Sequence, residues 1–135
     1  MKPETADYLD KAHHCLVGAK TIAAAGLPGV AAREAYLAVY HAAEAYIFER
    51  TGKAAKTHRG VRSQFNRLAR QEPGIEREFL TLLAEGYEFK TIADYDIGPA
   101  IDAIPPDDAA SAINTAGRFI DAITELLAGE ARTPE

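Results

Sequence analysis

The sequence has little of the chemistry on which many small proteins depend. It contains one cysteine, Cys15, and no tryptophan in 135 residues. A lone cysteine cannot form an intramolecular disulfide or supply the paired thiols of a structural zinc site, so we expect a reducing, cytoplasmic location. The start of the chain lacks the apolar core of a signal peptide. No apolar run approaches the roughly 18 residues that span a membrane, so we expect no membrane association.

Motifs for nucleophiles, phosphate loops and metals are also missing. Neither Ser63 nor Ser111 lies in a glycine-flanked elbow, and both glycine-rich phosphate-binding patterns, Gly-x-Gly-x-x-Gly and Gly-x-x-x-x-Gly-Lys, are absent. Adjacent His13 and His14 would point about 100° apart on a helix, unlike two ligands spaced four residues apart. We therefore expect no bound metal and no cofactor.

The residues that are present predict one helical domain. Hydrophobic residues make up 47% of the chain and charged residues 26%, which is typical of a globular protein. Apolar side chains recur at three- and four-residue steps in five segments, and no long segment alternates with a period of two. The sequence predicts an all-α fold, an antiparallel four-helix bundle with a short accessory fifth helix. The apolar stripes cover residues 8–23, 32–47, 61–68 (the accessory helix), 75–93 and 109–127, within a single domain over 1–135 whose core is about 5–128.

Glycine and proline mark the predicted helix ends. Gly52 is a helix stop, and residues 96–105 form the one substantial loop. The last helix is expected to begin near Pro106, where two carboxylates favour the positive end of the helix dipole. We expect residues 129–135 to be frayed.

Charge is distributed unevenly along the chain. Residues 1–49 hold 4 basic and 6 acidic side chains, a net charge of -2. Residues 50–71, the basic segment, hold 7 basic and no acidic side chains, a net charge of +7. Residues 72–135 hold 4 basic and 14 acidic side chains, net -10, which brings the total to -5. The basic segment can bind phosphates electrostatically, or it can pair with the acidic fourth and fifth helices or a second copy of the chain.

The second predicted helix carries polar side chains beside an alanine-lined stripe. One interpretation is a polar pocket between helices. The other is that tyrosine rings pack in the core while their hydroxyls reach its edge. The residues concerned are Arg33, Tyr36, Tyr40, His41 and Glu44.

Three blocks of sequence carry a family resemblance. They are AREAYLAVYHAAEA at 32–45, KTHRGV at 56–61 and KTIADY at 90–95, followed by a closing amphipathic helix. In this order and spacing they resemble the short single-domain bacterial branch of the HEPN superfamily (higher eukaryotes and prokaryotes nucleotide-binding). The resemblance implies a helical bundle, a homodimer and a minimal nucleotidyltransferase partner that in some systems adenylylates a tyrosine. It also implies a role in a toxin–antitoxin or defence pair, in which many members are metal-independent endoribonucleases.

The family's catalytic motif is altered in this sequence. The motif is an arginine followed after four to six residues by a histidine, and the aligned positions are Lys90 and Tyr95. An unperturbed tyrosine, with a pKa near 10, is a poor general base at pH 7, and lysine lacks the bidentate fork of arginine. The four-residue spacing of Lys90 and Asp94 predicts an intrahelical salt bridge. Whether the chain is an enzyme is therefore left open.

His58 is the remaining candidate for acid–base work. It lies beside two cations, Lys56 and Arg59, which favour a lowered pKa and a neutral imidazole. Its alternative role is to cap or orient the start of the third helix. If the chain cleaves RNA, His58 is predicted to accept the proton and Lys90 to stabilise phosphate charge. The full predicted catalytic set is His58, Lys90, Asp94 and Tyr95, and the set predicted to bind RNA or a nucleotide is Lys56, Arg59, Arg62, Arg33 and Tyr40.

An alternative function from another class also fits the sequence. A noncatalytic dimeric module, which only binds and assembles with partners, explains the loss of both motif residues. A third interpretation limits the function to electrostatic contact between the basic segment and nucleic acid, with an affinity that falls steeply as salt rises.

Overall fold

Six α-helices and one short 3₁₀ helix account for most of residues 1–132, the part of the chain that this computed structural model describes. No strand occurs in that part, so the predicted all-α bundle is confirmed. No helix there is long and apolar enough to cross a membrane. The elements are α1 (Pro3–Ala24), α2 (Pro28–Thr51), α3 (His58–Ala69), α4 (Arg77–Glu85), α5 (Tyr87–Tyr95), the 3₁₀ helix (Pro99–Ala103) and α6 (Pro106–Arg132).

Helix α2 lies at the centre of the bundle and packs against every other helix. Seven of its 13 buried residues are alanine, whose small side chains let neighbouring helices approach closely. A helix that is apolar on nearly all sides is stable only when other elements surround it. A turn at Gly26, which has a φ of 84°, joins α1 to α2 and makes the two helices an antiparallel pair.

Three phenylalanines hold the smaller helices against this centre. The ring centroid of Phe119, on α6, lies 5.3 Å from that of Phe65 on α3 and 5.1 Å from that of Phe79 on α4. Both pairs are edge-to-face, the arrangement that aromatic rings prefer. All three side chains are fully buried, so they form one core that includes the accessory helix α3.

The prediction of one continuous fourth helix over 75–93 is wrong, because the helix breaks at Gly86 into α4 and α5. Gly86 is buried, and a Cβ atom added to it would lie 2.8 Å from Cδ1 of Tyr36 and against the carbonyl oxygen of Leu82. The absence of a side chain therefore allows the chain to approach the Tyr36 ring. The apolar stripe continues across the break, which is why periodicity alone did not reveal it.

The other predicted helix ends agree with the structure except at the C terminus. Helix α2 stops at Gly52 in the left-handed conformation with a φ of 71°. The predicted loop over 96–105 contains only the 3₁₀ turn, and α6 begins at Pro106. Helix α6 continues to Arg132, so the expected fraying is wrong for 129–132, while residues 133–135 lie outside the described part.

We expect Gly86→Ala to lower the free energy of unfolding by about 1–3 kcal/mol, because a methyl group there overlaps the Tyr36 ring and the Leu82 carbonyl. Urea denaturation followed by circular dichroism measures the change. The matched control is Gly18→Ala in α1, where an added Cβ meets no atom within 4 Å. That variant should be unchanged or more stable by up to about 1 kcal/mol, and equal stability losses in the two variants would contradict the explanation.

Candidate functional site

His58 is the first residue of α3, where a capping interaction fixes the start of the helix. The hydroxyl of Thr57 accepts a hydrogen bond from the backbone N–H of Gly60 at 2.9 Å. Thr57 is thus the N-cap, a position that threonine favours. The alternative role of His58 as the capping residue is wrong, because its side chain is directed to other partners.

Those partners are three tyrosines, which with His58 form the aromatic cluster. The imidazole stacks on Tyr40 with ring centroids 4.1 Å apart, and it lies 5.0 Å from the ring of Tyr87. Its Nδ1 is hydrogen-bonded to the hydroxyl of Tyr36 at 2.7 Å. The two interpretations of the polar residues in the second helix are therefore compatible. The tyrosine rings are packed together, and the Tyr36 hydroxyl makes a polar contact with His58.

Burial controls the protonation of this cluster. The pKa of His58 is lowered, first by desolvation and then by the positive charge of Lys90. The sequence predicted this direction but attributed it to other cations. Desolvation raises the pKa of Tyr36 and raises that of Tyr40 to about 12, so both phenols stay protonated at pH 7. His58 is neutral at the same pH.

Because Tyr36 occupies Nδ1, Nε2 is the ring nitrogen left for a ligand. If the Tyr36 hydroxyl donates to Nδ1, Nε2 carries the proton and can donate to a phosphate oxygen. In the other tautomer, Nδ1 donates to the tyrosine oxygen and Nε2 is the acceptor that a general base requires. The same contact therefore serves binding in one tautomer and proton transfer in the other.

A second group of predicted site residues forms an ion-pair network between α2 and α5. Asp94 accepts a hydrogen bond from Nζ of Lys90 at 2.7 Å, which confirms the predicted intrahelical pair. It also accepts one from Nε of Arg33 at 2.6 Å. The contact with Asp94 raises the pKa of Lys90, and Lys90 lowers the pKa of Asp94. Tyr95 is 68% exposed, and its ring centroid lies 5.3 Å from Nζ of Lys90.

Most cations of the basic segment have no ion-pair partner among the residues whose side chains the structure describes. Arg50 forms an ion pair with Glu72 at 2.7 Å and lies over the Tyr46 ring. One alternative was that the segment's cations pair with the acidic helices. Among the described side chains, the other six cations form no such ion pair. These are Lys53, Lys56, Arg59, Arg62, Arg67 and Arg70.

A cleft joins the aromatic cluster to two of these arginines. We call it the His58 cleft; its volume is about 380 Å³. Arg59 is exposed and Arg62 half-buried at its edge. The residues that line it are Tyr36, Thr57, His58, Arg59, Arg62, Leu83 and Tyr87.

The structure thus divides the predicted site residues into two sets. His58, Arg59 and Arg62 line the cleft, and Tyr40 stacks beneath His58. The second set, Arg33, Lys90, Asp94 and Tyr95, belongs to the α2–α5 network, and Lys56 lies exposed in the loop before α3.

Tyr87 is the site residue that sequence reasoning missed. It follows Gly86 directly and lies outside the apolar stripe of the predicted fourth helix, so nothing in the periodicity distinguished it. A tyrosine between a glycine and Glu88, on the polar side of the stripe, was the only signal.

The histidines do not assemble a metal site in the described part of the chain. No group of three or more His, Cys, Asp or Glu side chains is arranged there to hold an ion. His41, for example, pairs through Nδ1 with Glu44 at 2.7 Å on α2.

One comparison with known proteins matches most of the chain. The family model described as the HEPN domain matches residues 5–126. No curated protein matches the chain significantly. The matched residues include all of the His58 cleft and of the α2–α5 network.

We expect His58 to make the protein less stable as pH falls below about 6.5, the usual pKa of an unfolded histidine. Its folded pKa is lower than this value, so the unfolded chain binds the proton first and the free energy of unfolding decreases. The decrease should level off once pH is below the folded pKa. Urea denaturation between pH 5 and 7.5 measures the slope.

The variants His58→Asn and His13→Asn separate this effect from other titrations. His58→Asn should flatten the slope between pH 5 and 6.5. His13 is exposed on α1, so His13→Asn should retain the wild-type slope. An unchanged slope in His58→Asn would show that the cluster does not disfavour protonation.

Proposed function

This chain belongs to the HEPN domain family, and from that premise we propose that it is the HEPN component of a toxin–antitoxin or defence pair. In this role it binds RNA or a nucleotide through the His58 cleft. The observation that carries the proposal is that Arg59 and Arg62, without ion-pair partners in the described part of the chain, border a cleft lined by His58.

The charge distribution supports binding at this face. Residues 72–135 carry a net charge of -10 and repel a polyanion. The basic segment carries +7, and only Arg50 among its cations is paired within the described residues. Attraction of phosphates is therefore concentrated at α3 and the loop before it. The acidic α6 is a surface that RNA avoids.

We expect the double variant Arg59→Ala/Arg62→Ala to weaken binding of a short single-stranded RNA by about tenfold or more, since each guanidinium can hold a phosphate. If both arginines contact phosphates, the slope of log affinity against log salt should also become shallower by about 1.4. Fluorescence anisotropy with a labelled RNA over a series of salt concentrations measures both quantities.

The matched control is Lys11→Ala/Lys20→Ala, which removes the same charge from exposed positions on α1. Helix α1 packs mainly against α2 and α6, away from the cleft. Equal losses of affinity in the two double variants would mean that net charge alone, and not the cleft, governs binding.

Cleavage is a second candidate activity, favoured by the position of His58. Metal-independent RNA cleavage needs a base to deprotonate the 2′-hydroxyl and a cation to stabilise the phosphorane. The cleft supplies a neutral imidazole beside two guanidinium groups. The Lys90 network is less suited to stabilise a phosphorane, because Asp94 already neutralises the charge of Lys90.

The same ion pair favours the noncatalytic alternative, a dimeric binding and assembly module. Asp94 accepts one hydrogen bond from Lys90 within α5 and one from Arg33 on α2, so Lys90 stabilises α5 and Arg33 stabilises the contact between α5 and α2. Lys90, the position aligned with the arginine of the catalytic motif, then acts in the fold.

Incubation of tRNA with the protein in the presence of a metal chelator distinguishes the ribonuclease from the noncatalytic module. If the cleft is catalytic, we expect cleavage that His58→Ala reduces by about 100-fold or more, the usual contribution of a general base. Lys90→Ala is the control for the network and should reduce the rate much less. No cleavage, or equal cleavage by wild type and His58→Ala, would rule out catalysis by the His58 cleft.

We further propose a homodimer and a minimal nucleotidyltransferase partner, with Tyr95 as the tyrosine that such a partner would modify. Family membership supports this, as do the exposed side chains of Tyr95 and Ile97 at the end of α5. Sedimentation analysis tests the dimer, and co-purification with the product of a neighbouring gene tests the partner. A monomer that binds no such protein would contradict both proposals.

A further inference from the structure

The proposed function gives no role to Tyr87, a tyrosine of the His58 cleft. Tyr87 lines the cleft and is 39% exposed, whereas Tyr36 and Tyr40 are 1% and 9% exposed. Of the three cluster tyrosines, Tyr87 is therefore the ring that a ligand can reach. The Tyr87 ring is held by two other rings of the cluster. Its centroid lies 5.0 Å from that of His58 and 6.1 Å from that of Tyr36, which packs edge to face against it.

The cationic side of the cleft is built on α3. Arg59 and Arg62 are three residues apart, which places them on neighbouring positions of the same helix face. Neither forms an ion pair with any described side chain. Two guanidinium groups thus stand beside an accessible aromatic ring.

The size of the cleft limits what it can hold. A volume of about 380 Å³ is at the lower end of the range for small-molecule pockets, about 300–1,000 Å³. This space suits one base with its sugar and phosphate, and a base paired in a duplex cannot leave its stack to enter it without cost.

The larger groove between α4, α5 and α6 does not compete for such a ligand. Its volume is about 580 Å³, and Leu82 and Phe89 give it an apolar floor. Its edge carries Glu78, Glu85 and Asp108, with Arg77 as the only cation among its lining residues. These carboxylates repel phosphate. We therefore expect a ligand that carries both a base and a phosphate to bind in the His58 cleft and not in this groove.

We propose that the His58 cleft binds one unpaired nucleotide, with the base stacked on Tyr87 and the phosphate held between Arg59 and Arg62. This inference rests on the proposed function and gives it a substrate class. The protein prefers unpaired nucleotides, whether these belong to single-stranded RNA or to a free nucleotide, over duplex RNA. Stacking needs no particular base, because every base has an aromatic face.

The variant that tests this inference is Tyr87→Leu, which keeps an apolar side chain but removes the ring. We expect it to weaken binding of a single-stranded hexanucleotide by about fivefold or more, the usual loss for one stacked base. The salt dependence should not change, since no charge is lost. Tyr87→Phe keeps the ring and should lose much less affinity than Tyr87→Leu.

The matched control is Tyr8→Leu, which removes a tyrosine from α1 that packs on Phe48 and does not line the cleft. It should retain wild-type affinity. A measurement on the wild type needs no variant: AMP should shift the NMR signals of the Tyr87 ring through stacking. This keeps the test valid if Tyr87→Leu does not fold.

Further ligands distinguish the outcomes. Tight binding of AMP indicates a free nucleotide as the ligand, while weak binding of AMP with tight binding of the hexanucleotide indicates RNA; both support the inference. Unchanged affinity in Tyr87→Leu, duplex binding as tight as single-strand binding, or inorganic phosphate binding as tightly as AMP would each overturn it. If the wild type binds no RNA or nucleotide even at low salt, the proposed function itself fails.

Discussion

The hydrogen bond between the Tyr36 hydroxyl and Nδ1 of His58 connects the core of the bundle to its candidate site. Tyr36 is buried on the central helix, so its hydroxyl position is fixed by the packing of α2. It orients the imidazole at the start of α3 and leaves Nε2 for a ligand. The same tyrosine ring lies against Gly86, where the chain bends from α4 into α5. One side chain of α2 thus contacts both the start of α3 and the junction of α4 with α5, which together with α2 form the cleft.

Segregation of charge gives this cleft its electrostatic character. An acidic chain with a net charge of -5 does not attract polyanions as a whole. Seven of the 15 Lys and Arg side chains lie in the basic segment, and six of these have no ion-pair partner among the described residues, so the attraction of phosphates is concentrated there. The pairing of Arg33 and Lys90 with Asp94 has the opposite effect, because it removes two cations from the neighbouring surface. The Arg33–Asp94 pair joins α2 to α5, and the Lys90–Asp94 pair lies within α5.

Local patterns in the sequence predicted most of the fold, because a helix that packs on one side repeats its apolar residues at a fixed interval. The break at Gly86 was missed because the apolar stripe continues across it and because the Tyr36 ring, against which Gly86 packs, is 50 residues away in sequence. The site shows the same division. His58, Arg59 and Arg62 were found through charge density and the KTHRGV block, and Lys90 with Asp94 through helical spacing. The partnership of Arg33 with Asp94 and the position of Tyr87 depend on contacts between helices, which no local pattern contains.

The central position of α2 has a consequence for synthesis of the protein on the ribosome. The helix ends at Thr51, but α6, which covers part of its surface, begins only at Pro106. At about 5–20 residues per second, the ribosome needs roughly 3–11 s to add the 54 residues between them. During this time α1 can pair with α2, but the face that α6 will cover stays open to other chains. Alanine is the most frequent residue on α2, and its small side chain exposes little apolar surface to nonspecific association with other chains.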